Sequence, residues 1–312
     1  MKSFVGVLGS FALITTLPCC ALQSGAPESD GVADAEQVGA ASEAATQPTP
    51  PQLTQPWVVR KASWSQGQPA VTLTSVATTF CVLTRLTGKF SGDGEWVQVY
   101  HDDTTWYLAG GSKQSGVGGD ATCFSRSAVK TNGSTFTVSA EASAWARGVS
   151  GCDGWGTPVG NGNGITAITG LQGQMAGSGE FVLAGQATTT VGTNSVGAHS
   201  CATYLTGYAH SFLFDGSKMP LFMRPDGSTG DVNVVPAQSA SGNGGSAILG
   251  LVANSFCYFS YIQGGFYGNG EAVQIADEQL SDGNHYWVLR TSRGGASSYV
   301  GANARCVARD QR

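Results

Sequence analysis

Long apolar stretches with a 3.6-residue period are missing from this sequence, which argues against a helical architecture. The one uncharged apolar run, Phe4 to Leu17, falls short of the ~20 residues a membrane helix needs. There is no Cys-x-x-Cys, so zinc and thiol-redox chemistry are poor readings. Gly-x-Ser-x-Gly, His-Glu-x-x-His, a phosphate loop and EF-hand spacing are all absent. The four His (His101, His199, His210 and His285) do not cluster in sequence. No metal and no cofactor is expected from these absences, and no nucleophile stands out.

Charge is also scarce, and it is unevenly placed. The 312 residues hold 16 basic and 21 acidic side chains, a net of −5. Residues 21–56 contain Glu28, Asp30, Asp34, Glu36 and Glu43 and no Lys or Arg. Residues 57–312 therefore carry a net of only −1. A near-neutral domain has no electrostatic footprint for nucleic acid or anionic lipid.

The chain opens with Lys2 and the apolar run, which reads as an export signal. The run ends at Leu17-Pro-Cys-Cys20. This resembles the lipobox of bacterial lipoproteins, in which a Leu and two small residues precede a lipidated Cys. The resemblance implies lipidation at Cys20, with Cys19 as the alternative, and a bacterial cell-envelope location on an outer surface or a periplasm-facing membrane. An ordinary secretory signal is the other reading. Residues 1–20 are thus the signal and residues 21–56 an acidic, Pro-rich tether. So few large apolar residues cannot bury enough surface to offset chain entropy.

What is abundant is glycine. Of 45 Gly, 40 lie beyond the tether, among Ser, Thr, Val and aromatics. That composition favours short strands and tight turns. One block occurs three times without a gap: Leu83-Thr-Arg-Leu-Thr-Gly-Lys-Phe-Ser-Gly-Asp-Gly-Glu95-Trp-Val97, Ile168 to Val182, and Phe259 to Val273. Its Glu residues are Glu95, Glu180 and Glu271. The block reads as strand, glycine turn and second strand, with Glu on the same face as the recurring Val. Self-similarity of this kind is the first fold signal to use. The expectation is an all-β fold of three related units, in residues 57–130, 131–205 and 248–312, with a connector at 206–247. One pseudo-threefold body is preferred over three small β-domains in a row, because units this loop-rich are marginal alone.

Six Cys follow the signal. Cys81 and Cys257 precede the block Glu by the same spacing, and Cys123 and Cys306 each follow a Val-Gly motif by the same spacing. The phase match predicts Cys81–Cys123, Cys152–Cys201 and Cys257–Cys306. Such bridges imply an oxidising compartment.

The three Glu are the only chemical group the sequence repeats. They are either structural carboxylates accepting N–H bonds from their own glycine turns or acid/base residues of a hydrolase. The structural role is preferred, since a catalytic site is asymmetric. Trp106 and Trp287 sit in alternating hairpins and read as core. Trp96, replaced by Phe181 and Ala272 in the other copies, and Trp155, among glycines, are the ligand-binding candidates. The function expected is that of an exported, lipid-anchored surface protein, adhesin-like or lectin-like and non-catalytic. Its partner would be a glycan or another surface protein, and its only membrane contact the lipid anchor. The alternative is a secreted hydrolase using the repeated carboxylates.

Overall fold

The computed structural model describes residues 57–129, 135–149, 152–161, 164–186, 193–200, 204–214, 221–230, 237–242, 244–268, 270–294 and 299–309. Cys19, Cys20 and Cys201 lie outside them. The described residues form strands, turns and bends without a helix, so the all-β class holds.

The first unit contributes β1 (Val58–Ser65), β2 (Val71–Ser75), β3 (Thr79–Thr87), β4 (Ser91–His101), β5 (Thr105–Gly111) and β6 (Gly118–Ser125). The short β7 (Ser127–Val129) follows. The second unit contributes β8 (Thr135–Val149), β9 (Cys152–Asn161), β10 (Gly164–Gln174), β11 (Ala176–Gln186), β12 (Thr193–Ser200) and β13 (Tyr204–Phe214). Two short strands, β14 (Phe222–Met223) and β15 (Thr229–Gly230), link it to the third unit. That unit holds β16 (Gln238–Ser241), β17 (Ser246–Leu251), β18 (Ser255–Gly265), β19 (Ala272–Gln279), β20 (His285–Ser292) and β21 (Val300–Ala308). β13 straddles the expected boundary after residue 205 and pairs along its length with β8 and β10.

The repeated block is not a hairpin. Among the described residues no ladder joins its two halves. The first half, β3, pairs with β19 of the third unit; β10 pairs with β4 of the first; β18 pairs with β11 of the second. Each unit thus gives half of its strands to one neighbour and receives half from the other. Three six-strand runs result: β1-β6-β3-β19-β20-β17, β8-β13-β10-β4-β5-β2 and β16-β21-β18-β11-β12-β9. The second and third are joined by a single pair, Val149 opposite Cys152.

The crossing between block halves explains the glycines. Gly88, Gly173 and Gly264 have φ of 103°, 115° and 125°. A Cβ at any of them would meet the carbonyl oxygen of Gly116, Tyr204 or Tyr299 at 2.3, 2.4 and 2.3 Å respectively. The positive φ expected at a hairpin turn is spent here, where the chain leaves one sheet for the next. The later pair, Gly92 and Gly94, flanks a bulge instead. Opposite β10 the register jumps from Gly92 to Trp96, and opposite β18 from Gly177 to Phe181. At the crossing, Phe90, Met175 and Phe266 are buried. Their backbones close a ring of three hydrogen bonds: Phe90 N–H to Phe266 O at 2.9 Å, Met175 N–H to Phe90 O at 3.0 Å, and Phe266 N–H to Met175 O at 2.9 Å.

Packing follows the period-2 pattern. Leu86, Leu171 and Ile262 are fully buried, each contributing about 1.5–3 kcal/mol. Phe80, Phe124, Phe212 and Phe256 pack as one aromatic cluster, with centroids 5.0–5.5 Å apart for four of the pairs. Trp106 and Trp287 are core, as expected. Their indoles donate to equivalent carbonyls, Thr79 at 3.1 Å and Ser255 at 2.9 Å.

Two of the predicted bridges are present, Cys81–Cys123 and Cys257–Cys306, each across directly opposed residues. They are compatible with an extracytoplasmic location. In the second unit the same register position holds Thr166 opposite Ser211, both buried. Cys152 stands opposite Ser200 at the start of β9. The Cys152–Cys201 bridge lies outside the described residues.

Candidate functional site

The three Glu occupy equivalent positions at the start of β4 and β11 and just before β19. Each points inward with the Val two residues on, as the alternation predicts; Glu95, Glu180 and Glu271 are 4%, 3% and 0% exposed. Each carboxylate lies over a glycine of its own block: a Cβ on Gly92, Gly177 or Gly268 would meet the Glu Oε2 at 3.5, 3.4 or 3.3 Å. The expected N–H bonds from a glycine turn do not form at Glu271, whose two oxygens are both buried without a hydrogen-bond partner. Among the described residues, no three His, Cys, Asp or Glu converge to hold a metal ion.

The two ligand-binding candidates separate. Trp96 is half-buried on the outward face of β4, and a Cβ on the opposing Gly111 would lie 2.3 Å from its indole nitrogen. It packs on a neighbouring glycine. Trp155 lies in β9 rather than in a loop, and its side chain is outside the described residues.

The concave feature that the sequence reading missed lies where β3 meets β19. These strands pair only over Arg85–Thr87 and Ala272–Gln274, then diverge. The gap is a groove of about 430 Å³. Thr84, Asp120 and Thr122 line one side, Gln274 and Asp277 the other, and Lys61 of β1 reaches in. Lys61 Nζ donates to Asp277 Oδ2 at 2.8 Å and sits 5.4 Å from the Trp287 ring centroid. His285 Nδ1 contacts Asp277 Oδ1 at 2.7 Å. Burial pushes the Asp277 carboxyl up, but the bonds from Lys61 and His285 outweigh it and hold the group below the usual carboxylate range. Asp120 Oδ1 is buried without a hydrogen bond; Arg85 Nη1 approaches it at 3.8 Å, too far for one.

The corresponding opening between β10 and β4 is filled. His210 of β13 lies there, 4% exposed, with its Nδ1 3.1 Å from Thr169 Oγ1. Its ring packs on His101 and Trp106 at centroid distances of 5.3 and 5.2 Å. Burial, with His101 beside it, lowers its pKa from 6.5 to about 3. Two of the His residues that do not cluster in sequence, His101 and His210, thus meet across strands.

No family model matches the chain, and no curated protein or solved structure matches it.

Proposed function

We propose that the protein is an exported, lipid-anchored binding protein of the bacterial cell envelope, built as one pseudo-threefold body and without catalysis of its own. The cyclic exchange of block halves supports the single body. The observation that carries the non-catalytic reading is the burial of the three repeated carboxylates, one in each block. A hydrolase needs its acid and base to reach solvent and substrate, and these do not. The groove between β3 and β19 is instead a pre-formed concave surface on rigid strands, as a binding site requires. A glycan array together with a broad hydrolase panel, both on the full chain, tests the reading. Saturable binding without turnover is expected. Turnover that is lost on Glu95→Gln, Glu180→Gln or Glu271→Gln would return the carboxylates to a catalytic role.

A further inference from the structure

We infer that the groove between β3 and β19 is the ligand site, and that it takes one neutral, polyhydroxylated sugar residue. This rests on the binding-protein reading above and names its ligand class.

The groove opens where two smaller side chains, Thr122 and Asp277, stand in place of a pair of imidazoles. Thr122 stands opposite Val82 in β3–β6, as His210 stands opposite Ala167 in β10–β13. The partners across each gap also correspond. Thr84 reaches Thr122 Oγ1 at 3.2 Å where Thr169 reaches His210 at 3.1 Å. Asp277 stands opposite Trp287 as His101 stands opposite Trp106. In the second sheet two imidazoles fill the space. In the first, a threonine and a short carboxylate leave it open. At the third such position, Tyr258 faces Arg305, whose guanidinium lies 5.4 Å from the Phe222 ring centroid. Three equivalent positions therefore carry three different side chains, and the smallest of them opens the groove.

Its chemistry selects the ligand. The volume lies within the ~300–1,000 Å³ range of small-molecule sites. Two carboxylates, Asp120 and Asp277, are balanced by Arg85 and Lys61, so a charged ligand gains no net attraction. Carboxylate oxygens accept from hydroxyls; the Gln274 amide and the Thr84 and Thr122 hydroxyls both donate and accept. Ile275 and the alanines beside it give an apolar wall for the C–H face of a ring.

The test is saturation-transfer NMR on the full chain with a panel of neutral mono- and disaccharides, alongside free amino sugars and uronic acids. Cleavage products are followed in the same tubes. At least one neutral sugar should bind, and the charged ones should bind less. Thr122→His, which installs the side chain the second unit already accommodates, should weaken binding by at least about tenfold. Gln274→Ala, half-exposed at the rim, should do the same and keeps the test open if Thr122→His does not fold. Trp96→Ala should leave binding unchanged. Sugar binding that ignores both groove variants would overturn the groove while leaving the binding-protein reading intact. Absence of binding by every sugar would overturn the ligand class. Cleavage that disappears in Thr122→His would keep the groove and overturn the non-catalytic reading.

Discussion

The Phe90 N–H donates to the Phe266 carbonyl at 2.9 Å, across 176 residues of chain. Met175 completes the ring with both. Each of the three residues follows the positive-φ glycine of its block by two positions. The same short motif thus crosses between sheets three times and meets itself at the crossing.

The crossing glycines should be the least replaceable residues in the fold. Gly88→Ala, Gly173→Ala and Gly264→Ala each place a Cβ about 2.3–2.4 Å from a backbone carbonyl at a φ that L side chains avoid. Each should cost on the order of 3 kcal/mol or more in urea denaturation. Gly67→Ala is the control: its φ is 84°, but nothing lies within 4 Å. It should cost only the backbone strain, about 1 kcal/mol.

Glu271 carries a carboxylate with no partner at 0% exposure. Glu271→Gln keeps the shape and puts a neutral amide in place of the partnerless acid. Stability should rise, on the order of 1 kcal/mol, with sugar binding unchanged. A melting temperature that falls on this change would show that the carboxylate has a partner the fold depends on.

The two bridges should be separable from the fold. Cys81→Thr with Cys123→Ser reproduces the Thr166 and Ser211 pair that the second unit uses at this register. The bridge spans 42 residues, so its loss should cost up to about 4 kcal/mol. The variant should stay folded by near-UV circular dichroism and unfold at lower urea.

His210 sets an acid limit. Its folded pKa, about 3, lies below the ordinary 6.5, so the unfolded chain takes up the proton first. The stabilisation is complete above about pH 6.5 and is lost as pH falls toward 3, by at most about 1.4 kcal/mol per pH unit. His210→Thr, the residue at the first unit's equivalent position, should flatten that part of the stability–pH curve. Carboxylates contribute to both curves, so the difference between variant and parent is the quantity to measure.

The face of each block residue could be read from the sequence, but its partner strand could not. Period-2 alternation places Glu95 with Val97 and Val99 on the buried side, and burial agrees. It says nothing about which strand lies alongside, so a contiguous block suggested a hairpin where the chain exchanges strands. Cysteine phase identified two bridges because Cys81 and Cys257 kept their letters. The groove was hidden for the opposite reason. It depends on Thr122 against His210, in strands whose letters have diverged, and the equivalence appears only through their register against β3 and β10. The same divergence hid Asn194, which stands opposite Gln186 as Trp106 stands opposite His101 and Trp287 opposite Asp277, and which donates to the Ser211 hydroxyl at 3.4 Å.

Strand exchange among the three units is the central claim, and it has a direct thermodynamic signature. If each unit holds half of its neighbour's sheet, none can unfold alone. Differential scanning calorimetry of the full chain, under conditions that keep the bridges oxidised, should show one transition, with calorimetric and van't Hoff enthalpies equal. Two or three resolved transitions, or a calorimetric enthalpy two to three times the van't Hoff value, would contradict the exchange and restore a row of independent β-domains.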